Sequence, residues 1–87
     1  MHAVVIKVSM NDQSAAQAQL SELVPRVSAM PGFVAAYWIA LSPNTGTAIH
    51  VFDSEASAQA LLAQVESAPA GAVTADSVEV GQVMAHA

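Results

Sequence analysis

There is no cysteine among the 87 residues, so disulfides and thiolate metal sites are excluded, and the fold must hold by packing or association. Positive charge is nearly as scarce. Lys7 and Arg26 stand alone against Asp12, Glu22, Asp53, Glu55, Glu66, Asp76 and Glu79, a formal net charge of −5. Phosphate binding draws most of its affinity from clustered Lys and Arg, so neither nucleic acid nor an anionic membrane surface is expected as a partner. The longest uncharged apolar run, Gly32 to Leu41, is about half of the roughly 20 residues that a membrane-spanning helix needs. The start, Met1-His2-Ala3-Val4-Val5-Ile6-Lys7, lacks the ordered basic, apolar and small-residue regions of a secretory signal, and a cytoplasmic location is the default expectation. No Gly-rich phosphate loop, nucleophile elbow or Ser-His-Asp arrangement is present. His2, His50 and His86 are scattered without an i,i+4 pair or a carboxylate cluster, so neither a metal nor a cofactor is expected.

What the chain does have is strands that are apolar on both faces. From Phe33 to Leu41 the odd positions are Phe33, Ala35, Tyr37, Ile39 and Leu41, and the even ones are Val34, Ala36, Trp38 and Ala40. A strand with two apolar faces belongs in a sheet covered on both sides. Only two helices can be placed, enough for one face, and a core this small is marginal alone. A second copy of the chain is therefore expected to cover the other face.

The chain reads as one domain over residues 1–87. His2 to Met10 is a strand whose even side, Val4, Ile6 and Val8, should face the helices. Asn11, Asp12 and Ser14 offer N-cap oxygens, and Ala16, Leu20, Leu23, Val24 and Val27 recur as a helical stripe. Pro25 predicts a kink or restart near Val24. Pro31-Gly32 ends that helix, a second strand runs from Phe33 to about Leu41, and Ser42-Pro43-Asn44-Thr45-Gly46 forms a turn into a third at Thr47 to Phe52. Ser54 caps a second helix, Glu55 to Ala68, with Ala58, Leu61, Leu62 and Val65 as its apolar stripe and Pro69-Ala70-Gly71 as its end. The last strand falls between Ala72 and Ala85 and is best developed at Val78 to Met84, with the status of Val73-Thr74 open. The order βαββαβ predicts an α+β, ferredoxin-like four-stranded antiparallel sheet with both helices on one face, dimerising through the other.

That order, together with Pro31-Gly32-Phe33 before the second strand, Val51-Phe52-Asp53-Ser54-Glu55-Ala56 at the strand-to-helix junction and the closing Val78 to Ala87, resembles the dimeric α/β-barrel superfamily. Within it the chain is similar to the antibiotic-biosynthesis monooxygenase-like group, including its small uncharacterised actinobacterial members. The resemblance implies a protomer whose sheet meets that of a second copy, with a ligand cavity between sheet and helices. Some members of the group oxidise polycyclic aromatics with oxygen and no cofactor, and others degrade heme. The heme degraders use a histidine on the second helix, an asparagine on a strand and a tryptophan on the third strand. Here Glu55 to Ala68 has no histidine, the tryptophan position corresponds to Phe52, and Asn11 and Asn44 read as loop or cap residues, so the heme-degrading pattern is not met.

His50 is the candidate catalytic residue, because a polar ring in mid-strand needs a reason. It is either a core or dimer-face histidine satisfied by one hydrogen bond, or a cavity residue exchanging a proton with a phenol-like ligand. Tyr37 and Trp38 are strand neighbours and point to opposite faces, and the hairpin turn decides which lies with His50. Both read as core aromatics or as ligand-stacking groups. Phe52 and Lys7 complete the candidate ligand-binding set, Lys7 being the one cation on the sheet and otherwise a solvated edge residue. Asp53 and Glu55 read as helix-start acids, His2 and His86 as solvated ends, and Met10, Met30 and Met84 as core fillers. Two functions compete. One is a structural or small apolar-ligand-binding domain; the other is a cofactor-independent oxygenase in which Tyr37, Trp38 and His50 bind and deprotonate a phenolic aromatic.

Overall fold

The computed structural model describes residues 1–67 and 73–87. The elements are β1 (His2–Met10), α1 (Gln13–Ser28), β2 (Phe33–Ala40), β3 (Thr45–Phe52), α2 (Glu55–Ser67) and β4 (Val73–Gln82). The strands form one antiparallel sheet in the order β2-β3-β1-β4, the ferredoxin-like arrangement, with both crossovers made by helices on the same face. No helix among the described residues is long and apolar enough to cross a membrane.

Alternation sorts the two faces. Val4 and Ile6 of β1 and Ala48, His50 and Phe52 of β3 are buried, and the register sets Val4 opposite His50 and Ile6 opposite Ala48. Directly paired residues project to the same side, so this is the helix-covered face. Val27 of α1 and Ala58 and Leu61 of α2 close the core over it. The other face carries Val5, Ile49 and Tyr37 in one row across β1, β3 and β2. Nothing among the described residues covers that row. Val5 is 37% exposed, Ile39 43% and Tyr37 60%, in keeping with a sheet that lacks its second cover.

Several boundaries differ from the sequence reading. α1 runs through Pro25 as one element, because Pro25 lies in its last turns, is exposed and removes a single N–H bond. Its N-cap is Asp12, whose carboxylate accepts from the Ser14 amide at 2.9 Å. Val24, expected on the apolar stripe, is exposed. Thr45 and Gly46 belong to β3 rather than to the turn, and the connection tightens around the Ser42 hydroxyl, which accepts from the Asn44 and Thr45 amides. Val73 and Thr74 open β4, which stops at Gln82. Both edge strands carry one extra residue, Val34 between Phe33 and Ala35 in β2 and Asp76 between Ala75 and Ser77 in β4. The Asp76 carboxylate takes the Ser9 hydroxyl as donor across that bulge. The expected break at Pro69-Ala70-Gly71 lies outside the described residues.

The junction after β3 is held by Gly32, at φ +80, whose carbonyl accepts from the Asp53 amide at 2.8 Å. A Cβ there would strike the Asp53 carboxylate and the Ser57 hydroxyl, so the left-handed turn and the close approach both require glycine. Ser54 caps α2 by accepting from the Ser57 amide at 3.3 Å. Two further corrections concern chain ends. His2 is part of β1, half-buried, with Nε2 3.4 Å from a Glu55 oxygen, and Met84 is 97% exposed rather than a core filler.

Candidate functional site

Between the sheet and the helices lies a cavity of about 790 Å³. Its existence follows from how α1 is seated. Ala16 and Val27, toward its two ends, are buried, whereas Leu20 and Leu23 between them are only half-buried and line the space. Ile6, Val8 and Ala48 form part of its floor and Leu61 and Val65 part of its α2 wall. The lining mixes these aliphatic groups with Gln13, Gln17, Gln19 and Gln64 and with Thr47 and Thr74.

Two rings stand together on that surface. Trp38 stands opposite Ala48 and so shares the helix-covered face with His50; their rings meet edge to face at 5.0 Å and 82°. Both line the cavity. His50 is 2% exposed, and neither of its ring nitrogens has a hydrogen-bond partner among the described residues. Burial lowers its pKa from an ordinary 6.5 to about 4, opposed in part by the Val4 backbone, so the ring is neutral at physiological pH. A buried imidazole without a partner is uncommon, because leaving such a group unsatisfied costs about 1–3 kcal/mol.

The candidate residues do not all come together. Trp38 and His50 share the cavity. Tyr37 pairs with Ile49 on the open face, and Lys7 is likewise exposed there, beside a separate cleft of about 490 Å³ lined also by Leu41, Thr47 and Asp76. Phe52 is fully buried, edge-on to Phe33 at 6.2 Å and 82°, as a packing group at the end of the core. Arg26 lines the cavity and was not singled out from the sequence, although being one of two cations it carried a signal. Glu66 and Asp76 line it as well. No group of three metal-ligating side chains occurs among the described residues. The described part of α2 contains no histidine, and the histidine that lines the cavity is on β3.

No protein-family model matches the chain, and no curated protein matches it. Among solved structures, it is similar to the NE2512 protein of unknown function from Nitrosomonas europaea, with a TM-score of 0.70 and 20% identity over 99% of this chain and 91% of that one. It is also similar to MhuD, a heme-degrader from Mycobacterium tuberculosis solved with two hemes in its active site, with a TM-score of 0.53 and 17% identity over 97% and 98% of the two chains. At these identities the likeness establishes the fold.

Proposed function

We propose that this protein is a homodimeric, cytoplasmic small-molecule-binding domain that holds a compact, largely apolar ligand between its sheet and helices. The observation that carries this reading is a cavity of about 790 Å³ between sheet and helices, in which Ile6, Leu20, Leu23 and Val65 surround the edge-to-face pair of Trp38 and His50. That volume lies within the range of small-molecule sites, and apolar walls with a limited number of polar groups are how such sites fix orientation. The bare row of Val5, Ile49 and Tyr37 supports a second copy as the cover of the open face.

The competing reading is a cofactor-independent oxygenase of the antibiotic-biosynthesis type, and its support is the fold shared with a heme-degrader plus one cavity imidazole. Two features weigh against it. Tyr37 lies on the opposite side of the sheet from His50, and a ring with a pKa of about 4 is a feeble base toward a phenol of pKa about 10.

Trp38 is the single tryptophan and lines the cavity, so its emission reports occupancy. Titration with the neutral probe decanol should change that emission saturably, and Val65→Phe, which fills the wall, should weaken binding about tenfold. A linear response without saturation, identical in the variant, would remove the binding reading. Oxygen consumption with dihydroxynaphthacene-type phenols, lost in His50→Ala, would instead favour the oxygenase.

A further inference from the structure

Resting on the homodimer reading above, we propose that Lys7 and Glu79 set the register of that dimer: Lys7 of each copy meets Glu79 of the other across the open face of the sheet, so that the pair forms twice about the twofold axis.

Charge is sparse on the strands. β2 and β3 contain no Asp, Glu, Lys or Arg, β1 contributes Lys7, and β4 contributes Asp76 and Glu79. Glu79 stands opposite Val5 in the ladder between β1 and β4, and Lys7 lies two residues along β1 from Val5, so both project from the face that carries Val5, Ile49 and Tyr37. Both are exposed. Asp76 is the extra residue of the β4 bulge, where its carboxylate already takes the Ser9 hydroxyl. Neither Lys7 nor Glu79 is in an ion pair within the chain, since the one found among the described residues joins His2 to Glu55. The open face is thus an apolar surface bearing one ammonium and one carboxylate available to a partner.

β1 is one of the two inner strands of the sheet, so a cover laid over this face encloses Lys7. Without an opposing charge that enclosure is costly. In an isologous interface both copies present the same patch, and residue i meets j wherever j meets i. A face holding a cation alone would leave it unpaired or set it against its own twin. Lys7 together with Glu79 makes the face self-complementary instead, and one twofold rotation satisfies both charges of each copy. The two residues sit on different strands and in different rows, which gives the pair a direction that apolar contact, being indifferent to sliding, does not supply.

Lys7 and Glu79 are diagonal neighbours across the ladder, so a pair within one chain is also within reach of these side chains, and exchange between copies separates the two arrangements. Sedimentation of the full chain at micromolar concentration reads the outcome, with circular dichroism to establish that each variant is folded. Lys7→Glu sets carboxylate against carboxylate and Glu79→Lys sets ammonium against ammonium, so each alone should self-associate about a hundredfold more weakly and run at the single-chain mass. Mixed in equal amounts, these two variants should return to twice the chain mass, because every cross-copy pair in the mixed dimer is again opposite in sign. The double variant, Lys7→Glu with Glu79→Lys, should be dimeric by itself. Recovery by the double variant but not by the mixture would put the pair within one chain, and recovery of Lys7→Glu by mixing with Asp76→Lys rather than with Glu79→Lys would make Asp76 the partner. Either result overturns the inference, as do single variants that stay dimeric or that neither route recovers, and in each case the wild-type dimer still stands. A wild-type chain at the single-chain mass would remove the homodimer reading itself, and this inference with it.

Discussion

Replacing His50 by leucine should flatten the acid limb of this protein's stability. In the folded chain the ring takes a proton only near pH 4, because burial excludes the charged form; in the unfolded chain it does so at the ordinary 6.5. Between these values the unfolded state binds more protons, so stability falls as the pH drops through that window and is unaffected by this group above it. A difference of about 2.5 pH units corresponds to about 3 kcal/mol, of which about 2 kcal/mol falls between pH 7 and 4.5. Wild type and His50→Leu would be compared by urea unfolding at those two pH values and equal protein concentration, followed by far-ultraviolet circular dichroism. Carboxylates common to both chains contribute equally, and the difference of differences isolates position 50. The variant should lose about 2 kcal/mol less than wild type on acidification. It should also be at least as stable at pH 7, since leucine leaves no nitrogen unsatisfied in a site that is 2% exposed. Parallel losses in the two proteins, or a His50→Leu chain strongly destabilised at pH 7, would refute the reasoning that the imidazole is neutral and unpartnered.

Three further outcomes follow from other parts of the fold. Leu61→Ala removes a side chain 3% exposed at the centre of the α2 contact and should lower stability by about 2–4 kcal/mol in the same urea assay; a change below about 0.5 kcal/mol would contradict its place in the core. Gly32→Ala places a Cβ against the Asp53 carboxylate at φ +80 and should cost about 1–3 kcal/mol, read as a fall in thermal midpoint, with an unchanged midpoint counting against the strained turn. Ile49→Asp on the open face should convert a species of about twice the chain mass to the single-chain mass in sedimentation at micromolar concentration. A wild-type chain that is already monomeric there would dispose of the second copy as the cover of the sheet.

The fold was legible because its signals are local and periodic. The alternation in His2–Met10 marks both its limits and its helix-facing side, and the Asp12 and Ser54 oxygens mark the starts of both helices. Pro25 misled because a proline's penalty depends on how many turns follow it, and here α1 ends three residues later. Site residues were legible in type but not in place. Tyr37 and Trp38 had to diverge, yet which of them joined His50 turned on whether Thr45 and Gly46 belonged to the turn or to β3. The solitude of the His50 nitrogens could not be read from residues 48–52 at all, since it depends on what α1 and α2 bring, or fail to bring, from far along the chain. Arg26 was overlooked because a charge near a helix end looks solvated until the opposite wall of the cavity is known.

The extra residues in β2 and β4 bear on how copies of this chain can meet. These are the two outer strands, and a side-by-side union along either would need an uninterrupted row of amides and carbonyls in matching register. Val34 and Asp76 each throw that row out of step, and Asp76 adds a carboxylate at the seam. Lateral growth into ribbons or fibrils is thereby discouraged, so that the oily broadside of the sheet can stay sticky without turning the molecule into an aggregation template.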